Sequence, residues 1–285
     1  MPIIYALLAM IFWGLALFLA ALASRKIGNV LTLFWMELFG LATGTVYLVF
    51  NHVQLSGSIV PNLPILFTIA ILQLTAYLSF YKGTEKGQVS LVAPLGSSWS
   101  LITVLLSVIF LGEILKPSQI FAILLILAGI ITVAFNIFGI FKGKSFKFLE
   151  GTKEGLLAML GWGISLYFLI LPSKELGWFI PAFGFRLFIV LMLLFYIKYS
   201  KLNLFPKDKK LPLNLLIPIG VFDMLAFFAY SLGVSKGFGS IVAPISSAYA
   251  LVTIFLGIIF LKEKIGLRQI AGILGIISGL ILISL

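Results

Sequence analysis

Ten apolar runs of about twenty residues follow one another through this chain, at about 3–23, 30–50, 64–81, 88–111, 118–141, 155–172, 178–197, 213–235, 239–261 and 267–285. Each is long enough for an α-helix to cross a hydrocarbon core about 30 Å thick. Backbone inside that core must satisfy its own N–H and C=O groups, which restricts spanning structures to helices and closed barrels. The runs are apolar on every side and roughly twice the length of an outer-membrane strand, which alternates in polarity over about ten residues and argues against a barrel. The expected fold is therefore an all-α integral membrane protein with ten transmembrane helices. Composition agrees: of 285 residues, 61% are hydrophobic and 10% charged, against about 25% charged in a soluble domain. The first run has no basic leader and no small-residue cleavage site before Arg25 and Lys26, so it is expected to stay as the first helix.

The charges between the runs are informative. The formal net charge is +11, which in a soluble chain would suggest a nucleic-acid partner. Here sixteen of the twenty Lys and Arg residues lie at the connections after runs 1, 3, 5, 7 and 9, fifteen between the runs and Arg268 at the very start of run 10; three (Lys116, Lys174, Lys236) lie in the others, and Arg186 lies deep inside a run. Basic residues near helix ends are retained on the cytoplasmic side, so the odd connections are expected inside and both termini outside, in a multi-pass protein of the plasma membrane. The bases then face anionic lipid head groups, and no nucleic-acid partner is expected. The chain has no cysteine and a single histidine, His52. Disulfides, thiolate chemistry and multi-histidine metal sites are thereby excluded, and no metal or cofactor is expected.

The chain also repeats itself. At a shift of 149 residues Trp13-Gly14 meets Trp162-Gly163, and the stretch from Ser24 to Gly28 meets that from Ser173 to Gly177. At a shift of 150, Lys86-Gly87 with Val92-Ala93-Pro94 meets Lys236-Gly237 with Val242-Ala243-Pro244, and Glu113 and Gln119 meet Glu263 and Gln269. Coincident Gly, Pro, Lys and Glu at one nearly constant shift point to a duplication, with repeats over 1–145 and 146–285. Five crossings per repeat force the second to enter the membrane inverted. Inverted repeats supply two states of similar energy that open to opposite sides, the symmetry of alternating access.

The Trp-Gly pairs, the Val-Ala-Pro motifs ending at Pro94 and Pro244, and the Phe-Leu-Gly-Glu113 and Phe-Leu-Lys-Glu263 motifs together resemble the drug/metabolite transporter superfamily, in its ten-helix branch of two EamA-type repeats. The second acidic motif departs from the first by carrying Lys262 in place of Gly112. The resemblance covers nearly the whole chain. It implies secondary transport of small organic molecules, among them amino acids, other metabolites and drugs, through a central cavity between the halves.

The candidate site follows from the midspan polar residues. Pro94 and Pro244 each lack an amide hydrogen and free the carbonyl four residues earlier, at Ser90 and Ser240, so a local kink is expected. Just beyond lie Ser97, Ser98, Trp99 and Thr103 in run 4 and Ser246, Ser247, Tyr249 and Thr253 in run 9. These hydroxyls and aromatics could line a cavity or simply let helices pack closely. The substrate-binding candidates are Ser97, Trp99, Thr103, Ser247 and Tyr249, with Trp13, Trp162 and Tyr77. Tyr81 and Tyr230 have similar standing to Tyr77.

Glu37, Arg186 and Asp223 are ionisable residues inside runs, where a central charge costs about 2.5–3.5 kcal/mol to insert. Glu37 and Arg186 are repeat equivalents that could pair near the pseudo-axis, and Asp223 corresponds to Gln73. Asp223 is the first candidate for coupling to protons and Glu37 the second; the alternative is a purely structural pair. Glu113 and Glu263 are expected to cap the helices that follow them. Gly40, Gly44, Ala271, Gly275 and Gly279 permit close helix contacts, within the chain or between copies.

No phosphate-binding loop or catalytic histidine motif occurs, so an enzyme or ATP-driven pump is not expected. The expected function is secondary export of a small uncharged or zwitterionic metabolite, an amino acid first. Efflux of organic cations is the alternative, and a passive channel or scramblase the reading from a different class.

Overall fold

The computed structural model describes residues 2–51, 59–111, 116–134, 149–205, 210–236 and 239–282; His52, Gly112, Glu113, Gly237 and the end of the fifth apolar run lie outside them. The described helices are α1 (Pro2–Ile27), α2 (Asn29–Phe50), α3 (Ile59–Lys86), α4 (Val89–Ser97), α5 (Trp99–Leu111), α6 (Pro117–Ala134), α7 (Thr152–Leu176), α8 (Phe179–Tyr199), α9 (Leu213–Lys236), α10 (Gly239–Ser247), α11 (Ala250–Leu261) and α12 (Leu267–Leu282). They make ten spans, because α4 with α5 and α10 with α11 are each one span broken midway. Eight spans are long and apolar enough to cross a membrane by themselves, and α6 and α12 are shorter apolar helices. The all-α membrane fold expected from the apolar runs is thus what the chain adopts.

Local sequence explains where the helices begin, end and break. α3 starts at Ile59, before the apolar run, because Pro61 falls in the first turn, where a helix has no partner for the amide anyway. It runs past the apolar stretch to Lys86 on the polar side chains of Lys82, Glu85 and Lys86. Gly28 alone separates α1 from α2, at φ 85°, and its repeat equivalent Gly177 turns α7 toward α8 at φ 75°. That left-handed backbone strains any residue with a Cβ.

The kink expected at the prolines falls four residues later. Ser98 N–H bonds the carbonyl of Leu95, and Tyr249 N–H that of Ser246, so each break is a tightened turn with bonds to the third residue back. The Pro94 carbonyl accepts hydroxyl hydrogens, from Ser97 Oγ and Ser98 Oγ at 2.9 Å each, and the Pro244 carbonyl accepts Ser247 Oγ at 2.8 Å beside the Ala248 amide at 3.1 Å. Serine hydroxyls compete in this way with the helix's own amides and open its ladder.

Packing does not follow the sequence halves. α1 packs on α9, α10 and α11, with α2 also on α9; α7 packs on α3, α4 and α5, with α8 also on α3. Each bundle therefore takes two spans from one half and two from the other, and the repeat shift carries one bundle onto the other. α6 and α12 pair separately. A Cβ on Gly279 would lie 2.5 Å from Ile126 Cγ1, and one on Gly129 2.6 Å from the Gly272 carbonyl. These small residues are spent inside the chain, while Ala271 is exposed and Gly272 takes its expected place. Ile120, Leu124 and Ile131 on the outer side of α6 are about half exposed, as a lipid-facing surface requires.

Candidate functional site

The Trp-Gly pairs are where the two bundles build a shared centre. A Cβ on Gly163 of α7 would lie 2.5 Å from Ile102 Cβ and 2.7 Å from the Trp99 carbonyl, so only glycine admits the broken span this close. Gly14 of α1 stands in the same relation to Val252 Cβ at 2.5 Å and the Tyr249 carbonyl at 3.0 Å. Thr103 Oγ1 donates to the Gly163 carbonyl at 3.0 Å and Thr253 Oγ1 to the Gly14 carbonyl at 3.3 Å. Each threonine thus fastens a broken span to the first helix of the opposite half.

This close approach presents the preceding tryptophans to one cavity. It is lined by Trp13, Leu17, Gln73, Tyr77, Trp99, Trp162, Leu166, Phe227 and Tyr249 and leaves about 300 Å³ of space between atoms, open solvent included. Eight of the nine form repeat pairs: Trp13 with Trp162, Leu17 with Leu166, Tyr77 with Phe227, and Trp99 with Tyr249. The cavity therefore lies on the pseudo-two-fold axis. Its walls obey the same symmetry in detail. Trp13 meets Phe227 edge-on at 5.2 Å, and Trp162 meets Tyr77 edge-on at 5.3 Å, the geometry preferred by aromatic quadrupoles. Gln73 is the unmatched member. Its amide oxygen and nitrogen are buried without hydrogen-bond partners among the described residues, as is the Tyr249 hydroxyl.

Of the sequence candidates, Trp13, Tyr77, Trp99, Trp162 and Tyr249 come together in this lining. Ser97, Thr103 and Ser247 do not belong to it; their hydroxyls bond backbone carbonyls, and Ser247 Oγ also lies 3.2 Å from Ser100 Oγ across the bundle interface. Tyr230 packs behind Trp13 and Trp99, and Tyr81 turns its hydroxyl to Met36 Sδ. Sequence reasoning missed Gln73, Leu17, Leu166 and Phe227 as lining residues. The signal was present in the helical spacing of four between Trp13 and Leu17, Trp162 and Leu166, and Gln73 and Tyr77.

Behind Tyr77 and Phe227 lies the charge cluster. Glu37, Arg186 and Asp223 are all fully buried. Arg186 Nη1 donates to Glu37 Oε2 at 2.8 Å and Arg186 Nη2 to Asp223 Oδ2. Tyr77 Oη donates to Asp223 Oδ1 at 2.9 Å. The guanidinium lies over the Phe227 ring at 4.8 Å, on the wall the ring shares with the cavity. Gly40 makes the room, since a Cβ there would lie 3.1 Å from Arg186 Nη1. Two carboxylates against one guanidinium leave a formal charge of −1 one side chain away from the cavity. Glu37 Oε1 and Arg186 Nε have no partner among the described residues. Every bond in the cluster crosses between bundles, because Glu37 and Asp223 ride on α2 and α9 while Arg186 and Tyr77 ride on α8 and α3.

Glu263 departs from the expected cap. Its carboxylate accepts the amides of Val89 and Ser90, both at 2.9 Å, at the start of α4 in the opposite half, not those of the helix that follows it. Arg25 reinforces the junction: Nε donates to the Thr84 carbonyl at 3.0 Å and Nη2 to that of Gly87 at 3.1 Å, with Glu263 Oε1 at 3.6 Å. The ends of α1, α3 and α11 thus meet on one face, and the bundles are clasped there.

The chain matches the model of the EamA-like transporter family over residues 1–135 and 154–285. It is 28% identical over 228 residues to a protein of Archaeoglobus fulgidus described as an uncharacterized transporter, with 76% of this chain and 77% of that one covered. An uncharacterized protein of Methanocaldococcus jannaschii is 32% identical over 131 residues, which is 46% of this chain and 93% of that protein. A solved crystal structure superposes with a TM-score of 0.69 over 100% of this chain and 98% of its own, at 15% identity; that likeness bears on the fold alone.

Proposed function

We propose, from the premise that this chain belongs to the EamA-like transporter family of the drug/metabolite transporter superfamily, that it is a secondary carrier working by alternating access on a small organic metabolite. The observation that carries the reading is the aromatic cavity on the pseudo-axis, lined in repeat pairs by residues of both bundles. A site shared equally by two bundles can be exposed to either side by rocking one against the other. The cargo class follows from the lining: tryptophan and tyrosine faces accept an apolar body or an ammonium, and the Gln73 amide and Tyr249 hydroxyl offer hydrogen bonds. An amino acid or related metabolite, moved outward, meets all of these. Arg186 is already engaged by two carboxylates, so the cargo carboxylate falls to Gln73 and Tyr249. Protons are the coupling ion in this reading, with Asp223 as the exchanging carboxylate.

A second reading, efflux of organic cations, is favoured by the −1 cluster behind the aromatic wall. A thermal-shift screen of purified protein against amino acids, quaternary amines and nucleotide sugars separates the two, since a ligand bound by the folded state alone stabilises it in proportion to occupancy. Stabilisation by amino acids, lost in Trp162→Ala and Tyr249→Phe, is expected. A response confined to lipophilic cations would move the assignment to cation efflux, and one to nucleotide sugars alone would overturn both. Asp223→Asn should abolish uptake driven by a proton gradient while counterflow persists.

A further inference from the structure

The repeat symmetry relates the two access states of such a carrier: each contact between bundles in one state has, in the other, a counterpart between the repeat-equivalent residues. Applied to the charge cluster, this operation gives an unequal result. The pair of Arg186 with Glu37 maps onto itself, since the two residues are repeat equivalents, and so persists on the axis. The bond from Tyr77 to Asp223 maps onto Phe227 and Gln73, which cannot form one. The bond from Arg186 to Asp223 maps onto Glu37 and Gln73, which can, with the amide as donor. In the present structure the atoms that new bond requires, Glu37 Oε1 and Gln73 Nε2, are both buried without a partner among the described residues. Leaving buried polar atoms unpaired is costly, and each such case needs an explanation.

We propose that Tyr77 and Gln73 are opposing state-selecting residues: Tyr77, with Arg186, holds Asp223 in the access state seen here, and in the opposite state Gln73 takes Glu37 and Asp223 is released from both partners. The proposal rests on the alternating-access reading above. It gives that reading a physical link between cargo and charge, because Tyr77 and Gln73 both line the cavity and sit one helical turn apart on α3. A cargo that hydrogen-bonds Gln73 or the Tyr77 hydroxyl shifts the balance between the states. It also states when Asp223 is open to exchange, in the state where its carboxylate has lost the guanidinium.

The absence of native cysteine permits a direct test. Spin labels at Lys82→Cys on α3 and Lys264→Cys after α11 lie on opposite bundles at the clasped face, and their distance distribution in lipid nanodiscs reports the two states without any ligand. Tyr77→Phe keeps the ring and removes one hydrogen bond to a charged acceptor, so the ratio of long to short distances should rise about tenfold. Gln73→Leu should lower that ratio, and the double variant should lie between. Arg25→Ala with Glu263→Gln breaks the clasp and serves as the reference for opening. If the clasp variant lengthens the distance while Tyr77→Phe and Gln73→Leu leave it unchanged, the partner exchange is wrong and the carrier reading stands. If no variant, the clasp variant included, yields a second distance, there is no second state and both are overturned.

Discussion

Arg186→Met is the substitution that most sharply tests how the buried charges are held. In the native chain the guanidinium supplies two charge-assisted hydrogen bonds, one to each carboxylate, in a site with no exposure to solvent. Hydrogen bonds to charged groups contribute about 1.5–3 kcal/mol each, and removing one partner of a buried ion pair costs about 3–5 kcal/mol because the remaining charge stays buried. Arg186→Met, of similar length but without charge, should therefore destabilise the fold by about 3–5 kcal/mol, read by reversible unfolding in mixed detergent micelles. The two carboxylates are not equally affected. Asp223 keeps the Tyr77 hydroxyl at 2.9 Å, whereas Glu37 Oε1 already has no partner among the described residues and Oε2 loses its guanidinium donor. Adding Glu37→Gln to Arg186→Met should then recover more stability than adding Asp223→Asn, and the triple variant should approach the native value. The reasoning is refuted if Arg186→Met unfolds within about 0.5 kcal/mol of the native chain, the range of an ordinary surface change, or if the order of the two rescues is reversed.

Three further outcomes follow from the geometry. Gly163→Ala, whose Cβ would lie 2.5 Å from Ile102 Cβ, should cost about 1–3 kcal/mol of overpacking, whereas Gly275→Ala, whose Cβ would lie 3.5 Å from Gly129 Cα, its nearest neighbour among the described residues, should cost little; parallel thermal melts compare them. Glu263→Gln leaves one acceptor for two amides, so the start of α4 should lose about 1–2 kcal/mol and hydrogen exchange at Val89 and Ser90 should accelerate, with α12 unaffected. For orientation, a membrane-impermeant maleimide should label Asn51→Cys in intact cells and reach Lys264→Cys only after permeabilisation, as the basic connections require; the reverse pattern would invert the assignment of the faces.

The ten spans were legible because each apolar run is a property of twenty consecutive residues. The aromatic members of the cavity were legible because the repeat shift marked Trp13 with Trp162 and Trp99 with Tyr249. What escaped was decided between segments distant in sequence. Ser97 and Ser247 look like cavity hydroxyls until the prolines beside them offer carbonyls three residues back, which are nearer than any cargo. Glu263 looks like the cap of its own following helix, yet the inverted packing brings the amides of Val89 and Ser90 to it from 174 and 173 residues away. Gln73 carries no charge and belongs to no motif, and its importance depends on its burial beside the cavity, without a hydrogen-bond partner among the described residues. The bundles themselves, each mixing helices of both halves, follow from inversion and could not be read from repeat boundaries.

Counterflow in liposomes containing this protein alone tests the central claim most directly. Vesicles are loaded with the unlabelled compound that gives the largest thermal shift and diluted into a trace of the same compound in labelled form. A carrier that alternates access must exchange one for the other, so labelled compound should accumulate transiently above its outside concentration, and Trp99→Ala with Trp162→Ala should abolish the overshoot. Equilibration of the label to the outside concentration without an overshoot, unaffected by the compound inside, would mean a passive pathway and would contradict the account.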